Sequence, residues 1–280
     1  MLATKVKQLF SWALFFSFFM FNVLGHQRIS KFYEGIVLSW GRKNVERLLV
    51  IIAVFGFFSL TIWIAVGSLK SSEKLSRTLK TLGFWFVSIL LCFVAYSLLI
   101  CSMVEIVHFP QYALLALWGI VLIGDTAKAV SIVTFLGILD ETVNYILHPR
   151  FTPYLDFNDM VLNFCGAIVG VAFYHAVTQK AFLRRDHWIF NVGYGLIFAV
   201  VALFTVGILT GIVELENPLA DPARAIQNGH FILSFQHFEP FWRYTGSGIK
   251  YHIMAPVEGI LLLGVLTSVV HAVCEIGTRD

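Results

Sequence analysis

Residues 138–151, ILDETVNYILHPRF, decide the fold class, because two adjacent carboxylates and a His-Pro-Arg turn close an otherwise apolar segment. The carboxylates are Asp140 and Glu141, and the apolar segment extends back to residue 128. A stretch of about 20 apolar residues is long enough to cross a bilayer as a helix. Ionisable residues inside such a helix are energetically costly and indicate a functional site or a buried polar network. The stretch therefore predicts a membrane-spanning helix that carries polar groups near one end.

The composition extends this interpretation to the whole chain. Of 280 residues, 58% are apolar and only 13% are charged, whereas soluble domains average about 25% charged residues. Further apolar segments occupy residues 9–24, 48–67, 82–104, 110–124, 160–181, 189–213 and 255–274. We therefore predict an all-α polytopic transmembrane bundle of seven or eight spans, with membrane lipids as partners. The net charge is only +3, and no basic cluster with interleaved aromatic residues indicates a nucleic-acid partner.

Hydrophobicity divides the chain into four regions. Residues 1–47 are predicted to form a first apolar span followed by an amphipathic segment that lies in the membrane interface. Residues 48–213 form the main bundle, 214–253 an aromatic extracytoplasmic loop, and 254–280 the last span with a short tail. Lys and Arg residues are more numerous in the connections on the side of both termini, which places those termini in the cytoplasm.

Polar residues concentrate at the ends of three predicted spans. Their helical spacings predict three shared faces, formed by Glu105, His108 and Tyr112, by Asp140, Asn144 and His148, and by Asp159 and Asn163. Arg150 and Asp156 lie in the turn between the second and third of these groups. Two spans separate the turn after residue 104 from the turn after residue 147, so both turns lie on one membrane face. At about 1.5 Å per residue, Asp140 lies about 12 Å below that face. We therefore predict one polar cleft that opens to the extracytoplasmic side.

The order of four motifs resembles the VanZ-like membrane protein family. EIVHFPQY at residues 105–112, DETVN at 140–144, HPR at 148–150 and DMVLNFCGAIVG at 159–170 match that family's pattern. The resemblance covers residues 82–181 and departs from the family at Asn144, where Gln is usual, and at Pro110, which follows His-Phe directly. Because Pro disfavours helical geometry just before it, a turn at Glu105 and His108 stays open as an alternative. The resemblance implies a bacterial cytoplasmic-membrane protein of the cell envelope, linked with glycopeptide-antibiotic resistance.

Two functions stay open for this cluster. In the first, the cleft binds or processes a lipid-linked or amphipathic substrate, with His108 as general base and Arg150 as the charge-stabilising group. A divalent cation held by Asp140 and Glu141 would let this acidic cleft bind a phosphate, with substrate contacts from Glu105, Tyr112, Asn144, His148, Asp159 and Asn163. In the second, Arg150 pairs with these acids in a structural network. The chain would then be a non-catalytic subunit packed against other membrane protein subunits.

Overall fold

The protein is built from long apolar helices. The computed structural model describes residues 2–70, 75–148, 154–178, 192–216, 226–227, 230–234, 241–244, 248 and 250–277. In this part of the chain, eight helices are long and apolar enough to cross a membrane. They are α1 (Leu2–Trp40), α2 (Arg42–Lys70), α3 (Leu75–Leu99), α4 (His108–Ile123), α5 (Thr126–Leu147), α6 (Phe157–Thr178), α7 (Val192–Leu209) and α8 (Pro256–Gly277). The predicted all-α transmembrane fold class is therefore confirmed.

The first helix is longer than the sequence predicts. A short span and a separate interfacial segment from His26 to Arg47 were the expectation, but α1 continues for 39 residues through the span and most of that segment, as far as Trp40. Polar residues alone do not end a helix, because its backbone hydrogen bonds are made within the helix itself. The break comes instead at Gly41, whose φ of 82° lies in the left-handed region that glycine adopts without steric cost. The boundary between the first two helices therefore lies at Gly41.

Helix α6 lies at the centre of the bundle. In its membrane-spanning stretch 78% of the residues are buried, compared with 6% in that of α2. The G-x-x-x-G motif of Gly166 and Gly170 predicts close helix packing, and a Cβ atom at Gly166 would lie only 2.7 Å from the carbonyl oxygen of Phe109. At Gly170 a Cβ atom would collide with the backbone of Ala113. The predicted close packing is confirmed, and it holds the first half of α4 against α6.

A tight turn joins α4 to α5 and sets their antiparallel arrangement. Gly124 ends α4 in the left-handed conformation, with φ of 68°, and its N–H donates to the carbonyl of Ile120. Asp125 caps α5, since its carboxylate accepts a hydrogen bond from the backbone N–H of Lys128 at 2.9 Å. The start of α4, the end of α5 and the start of α6 consequently meet at the opposite end of the bundle.

The predicted aromatic loop before α8 contains short β-strands. Strand β1 (Val213–Glu216) pairs in parallel with β3 (His230–Ser234), which pairs antiparallel with β2 (Ile226–Gln227). Strands β4 (Arg243–Tyr244) and β5 (Lys250–Tyr251) form a second antiparallel pair. None of these strands was predicted from the sequence, because each has only two to five residues, too few for a periodic pattern.

Asn158, at the start of α6, anchors the end of this loop to the bundle. Its side-chain amide donates to the carbonyls of Leu99 and His252, at 3.0 and 2.7 Å. Its Oδ1 atom accepts from the backbone N–H of Met254 at 2.9 Å. One buried side chain therefore joins the end of α3, the start of α6 and the segment that leads into α8.

Candidate functional site

Three helix ends bring most of the predicted site residues together. The first turns of α4 supply His108 and Tyr112, and the last turns of α5 supply Asp140, Glu141 and Asn144. The first turns of α6 supply Asp159 and Asn163, and all seven of these residues are buried. They come together because the turn between α4 and α5 places these three helix ends on one side. Their placement agrees with the periodicity of the sequence.

Asp140 lies at the inner part of this cluster. The hydroxyl of Tyr112 donates to its Oδ2 atom at 2.8 Å, and the side-chain amide of Asn144 donates to its Oδ1 atom at 3.0 Å. One carboxylate oxygen of Asp140 is therefore bonded across to α4 and the other within α5. Asp140 thereby orients Tyr112 and Asn144. Its metal-ligand role stays a prediction, because the ligand atoms that converge among the described residues belong to His108, Glu141 and Asp159.

A second chain of hydrogen bonds connects the three helices. The Nδ1 atom of His108 lies 2.7 Å from Oδ1 of Asn163, and the amide nitrogen of Asn163 donates to Oε1 of Glu141 at 3.3 Å. An amide oxygen only accepts hydrogen bonds, so with this amide orientation Nδ1 of His108 carries the proton. The other ring nitrogen, Nε2, lies 3.5 Å from Oδ2 of Asp159. In the neutral imidazole, a lone pair on Nε2 therefore faces a carboxylate.

Glu105 lies outside α4, which corrects the predicted α-helical stripe of Glu105, His108 and Tyr112, although Glu105 lines the same cleft as His108. It lies in a 3-10 turn (Met103–Val107) before α4, and its carboxylate accepts hydrogen bonds from the N–H groups of Cys101 and Ser102, at 2.9 and 3.1 Å. Helix α4 begins at His108. Pro110 therefore lies in the first helical turn, where its missing N–H costs nothing. His108 consequently remains helical and Glu105 folds back as a cap.

The two remaining predicted residues lie at the end of α5. His148 ends the helix, half-buried, and its backbone N–H donates to the carbonyl of Asn144 at 2.8 Å. Its side chain is not among the described residues that line the cleft. Arg150, the predicted charge-stabilising residue, lies outside the described residues. The cluster is therefore defined by the side chains on α4, α5 and α6.

A cleft of about 220 Å³ opens beside the buried cluster. It is lined by His108, Glu141 and Asp159 from the cluster, and also by His26, Ser30, Cys101, Glu105, Gln111 and Asp156. The ring centroid of His26 lies 5.8 Å from that of His108. His26 was not predicted as a site residue, because its segment was assigned to the membrane interface. The four-residue spacing of His26 and Ser30 places them on one helix face, but neighbouring polar residues such as Gln27, Arg28 and Lys31 hide this signal in the sequence.

Carboxylates dominate the charge of the cleft. Glu105, Glu141, Asp156 and Asp159 line it, whereas no Lys or Arg does so among the described lining residues. Asp156 caps α6 by accepting from the backbone N–H groups of Asn158 and Asp159, at 2.9 and 3.2 Å. Burial, together with repulsion from the Asp159 carboxylate, raises the pKa of Asp156 to about 7. A cleft of this kind favours a cation over a bare anion.

The fold and the cleft define the class of the protein: a polytopic α-helical integral membrane protein with an acidic cleft at one end of its bundle. Comparisons with protein-family models, with curated proteins and with solved structures give no match to this chain. The likeness to the VanZ-like family therefore stays a prediction that rests on the four sequence motifs.

Proposed function

We propose that the protein binds the polar end of a lipid-linked or amphipathic molecule in this cleft. The observation that carries the proposal is the position of the cleft, where buried polar groups reach the ends of apolar helices. Its volume of about 220 Å³ is smaller than the roughly 300–1,000 Å³ of a typical drug-sized site. The cleft therefore suits a headgroup, while the rest of the ligand stays outside the pocket.

The lining of the cleft is itself amphipathic, which supports this type of ligand. Ile29 of α1 and the pair Val104 and Val107 before α4 line the same cleft as the acidic residues. These side chains provide an apolar surface beside the polar cluster. A ligand with a polar end and an apolar chain matches both parts, since each part of the ligand would then replace water with a surface of its own polarity.

The setting that we propose for this function is the bacterial cell envelope. The VanZ-like motifs support it, and the greater number of Lys and Arg residues on the side of the termini supports an extracytoplasmic cleft. In this orientation the cleft meets lipids and lipid-linked molecules of the outer leaflet of the cytoplasmic membrane. We propose binding as the primary activity, with processing as an extension that would require the same headgroup contacts.

A blocking substitution tests the binding function. Ser30→Trp places a large ring in the cleft, while the matched variant Ser39→Trp places the same ring on the exposed side of the same helix. The proteins would be mixed with a total bacterial envelope lipid extract in nanodiscs and examined by native mass spectrometry. We expect a recurring bound species in the parent and in Ser39→Trp, and its loss in Ser30→Trp. Equal binding by all three proteins would refute the proposal.

The exposure of α2 favours a second candidate function, that of an accessory subunit. Only 6% of the residues in its membrane-spanning stretch are buried, so nearly the whole helix is available to lipid or to another membrane protein. Extraction in a mild detergent, followed by identification of the co-purifying proteins, separates these cases. A partner chain present in fixed proportion would support the accessory role, whereas a preparation with lipids alone would contradict it.

A further inference from the structure

We infer that His108, Glu141 and Asp159 form a binding site for a divalent transition-metal ion. This site deepens the proposed function, because the ion would lie in the wall of the cleft and could bind the polar end of the ligand. It differs from the pair predicted from the sequence, since Asp140 is replaced by His108 and Asp159. The inference rests on the geometry of these three side chains, on the orientation of the imidazole and on an unpartnered carboxylate oxygen.

The ligand atoms converge from three helices. One candidate atom each from His108, Glu141 and Asp159 lies within 4.8 Å of the other two, and all three residues are buried. Bonds from zinc to nitrogen and oxygen are about 2.0–2.2 Å long, so three ligands of one tetrahedral ion lie about 3.3–3.6 Å from one another. Movements of less than about 1 Å per side chain, within the reach of torsional changes, would therefore complete the site.

The hydrogen bond of His108 orients its ring for metal binding. Because Nδ1 donates to Oδ1 of Asn163 at 2.7 Å, the lone pair of the neutral imidazole lies on Nε2, the atom that faces Asp159. Histidine ligands of metals almost always donate their other ring N–H to a carbonyl or carboxylate in this way. Asn163 also donates to Glu141 at 3.3 Å. A single amide therefore orients two of the three ligands.

A carboxylate oxygen in the cluster is left without a partner. The Oδ1 atom of Asp159 is fully buried and accepts no hydrogen bond within the described part of the chain, and the residue as a whole is only 8% exposed. A buried carboxylate that lacks a donor is energetically costly. One carboxylate oxygen of Asp159 lies within 4.8 Å of one of Glu141, so a cation between the two carboxylates would offset both the missing donor and the repulsion.

The donor set selects the class of ion. One imidazole and two carboxylates suit ions such as Zn²⁺ and Mn²⁺, whereas Ca²⁺ takes about 6–8 oxygen ligands. Three protein ligands leave coordination positions for water or a ligand oxygen, as in open zinc sites. All three residues line the cleft. A phosphate or hydroxyl of the bound molecule could therefore complete the coordination of the ion.

The test compares substitutions of two carboxylates, each of which lies beside a histidine ring. Asp159→Asn removes a proposed ligand, and Glu258→Gln is the matched control at the start of α8, where Glu258 lies 3.1 Å from His252. Full-length proteins would be washed with EDTA, dialysed against Zn²⁺ or Mn²⁺ and assayed by elemental analysis and thermal unfolding. We expect one ion per chain, and a metal-dependent rise in melting temperature, in the parent and in Glu258→Gln. Both effects should be lost in Asp159→Asn.

A parent that binds neither ion, or an Asp159→Asn variant that binds it equally well, would overturn the inference. If Asp159→Asn does not fold, Glu141→Gln provides the same comparison on α5. The Ser30→Trp variant separates this inference from the proposed function, because its ring fills the cleft without removing a ligand. An ion in the parent without any bound lipid species would refute only the proposed function. A bound lipid species without the ion would refute only the metal site.

Discussion

The two ends of the bundle both contain buried histidines, but they surround them with different chemistry. At the end opposite the cleft, His175 of α6 lies 2.9 Å from the hydroxyl of Thr126, and His271 of α8 lies 2.9 Å from that of Ser131. Each of these hydrogen bonds joins an imidazole to an uncharged hydroxyl on a neighbouring helix. At the cleft end, His108 faces carboxylates instead.

This difference shows what separates a packing histidine from a candidate ligand. A buried imidazole that is hydrogen-bonded to a hydroxyl joins two helices and stabilises their contact. The buried imidazole of His108 instead lies beside the carboxylates of Asp159 and Glu141, whose shared negative charge favours a cation. The residue type is the same at both ends, and the neighbours decide the chemistry.

The largest expected effect comes from replacing one histidine at each end of the bundle by glutamine. His108→Gln should weaken Zn²⁺ or Mn²⁺ binding by more than about 100-fold, since losing a ligand exceeds the about 10–100-fold loss on removing an outer hydrogen-bond partner. His175→Gln should leave metal affinity unchanged while lowering stability by about 1–3 kcal/mol, because Thr126 loses its partner. Isothermal titration and thermal unfolding measure these effects. If His108→Gln and His175→Gln bound the metal with equal affinity, the proposed distinction between the two ends would be wrong.

The next effect concerns the amide that orients the ligands. Asn163→Ala removes the acceptor for His108 and the donor to Glu141, so metal affinity should fall by about 10–100-fold. Thr126→Val provides the control at the other end, because it removes the hydroxyl that partners His175. That change should not alter metal affinity in the same titration. An unchanged affinity in Asn163→Ala would show that the amide does not orient the site.

A third effect tests the packing that holds the cleft end together. Gly170→Ala would force α4 and α6 apart, because the new Cβ atom meets the backbone of Ala113. We expect a loss of about 1–3 kcal/mol in stability, as for other overpacked positions. Gly195→Ala on α7, where no atom lies within 4 Å of the added Cβ, should be neutral or slightly stabilising. Unfolding in detergent compares the two variants, and an undestabilised Gly170→Ala would contradict the close packing.

The last effect is a dependence on pH through Asp156. Its pKa of about 7 in the folded protein lies above the value of about 3.9 in an unfolded chain. Between these values the folded state holds a proton that the unfolded state has released. The contribution of Asp156 to stability should therefore be fully present at pH 4 and below, and it should be lost as the pH rises to 7, by at most about 1.4 kcal/mol per pH unit.

Asp156→Asn checks this assignment, because the amide oxygen can still accept from the N–H groups of Asn158 and Asp159. Melting temperatures would be measured from pH 5 to 8 without added metal. The variant should show a flatter profile than the parent. Parallel profiles for the two proteins would assign the pH dependence to other groups.

Part of the candidate site follows from helical periodicity. The spacing of Asp140 and Asn144 predicted a shared face, and these two side chains are hydrogen-bonded at 3.0 Å. Glu105 was misplaced because its carboxylate folds back onto the N–H groups of its own turn, which no spacing reveals. His26 was missed because the long continuity of α1 brings a distant part of the chain beside His108.

The amino-acid sequence by itself determined that this chain is a membrane protein of many helices, since the lengths of its apolar runs depend on local composition alone. It also determined which helix ends carry polar groups. Only the tertiary structure decided which atoms of those groups face one another, including the Nε2 atom of His108 and the unpartnered oxygen of Asp159. The physical reason is that the rotation and separation of helices depend on contacts such as that between Gly166 and the Phe109 carbonyl. Such contacts form between segments far apart in the chain.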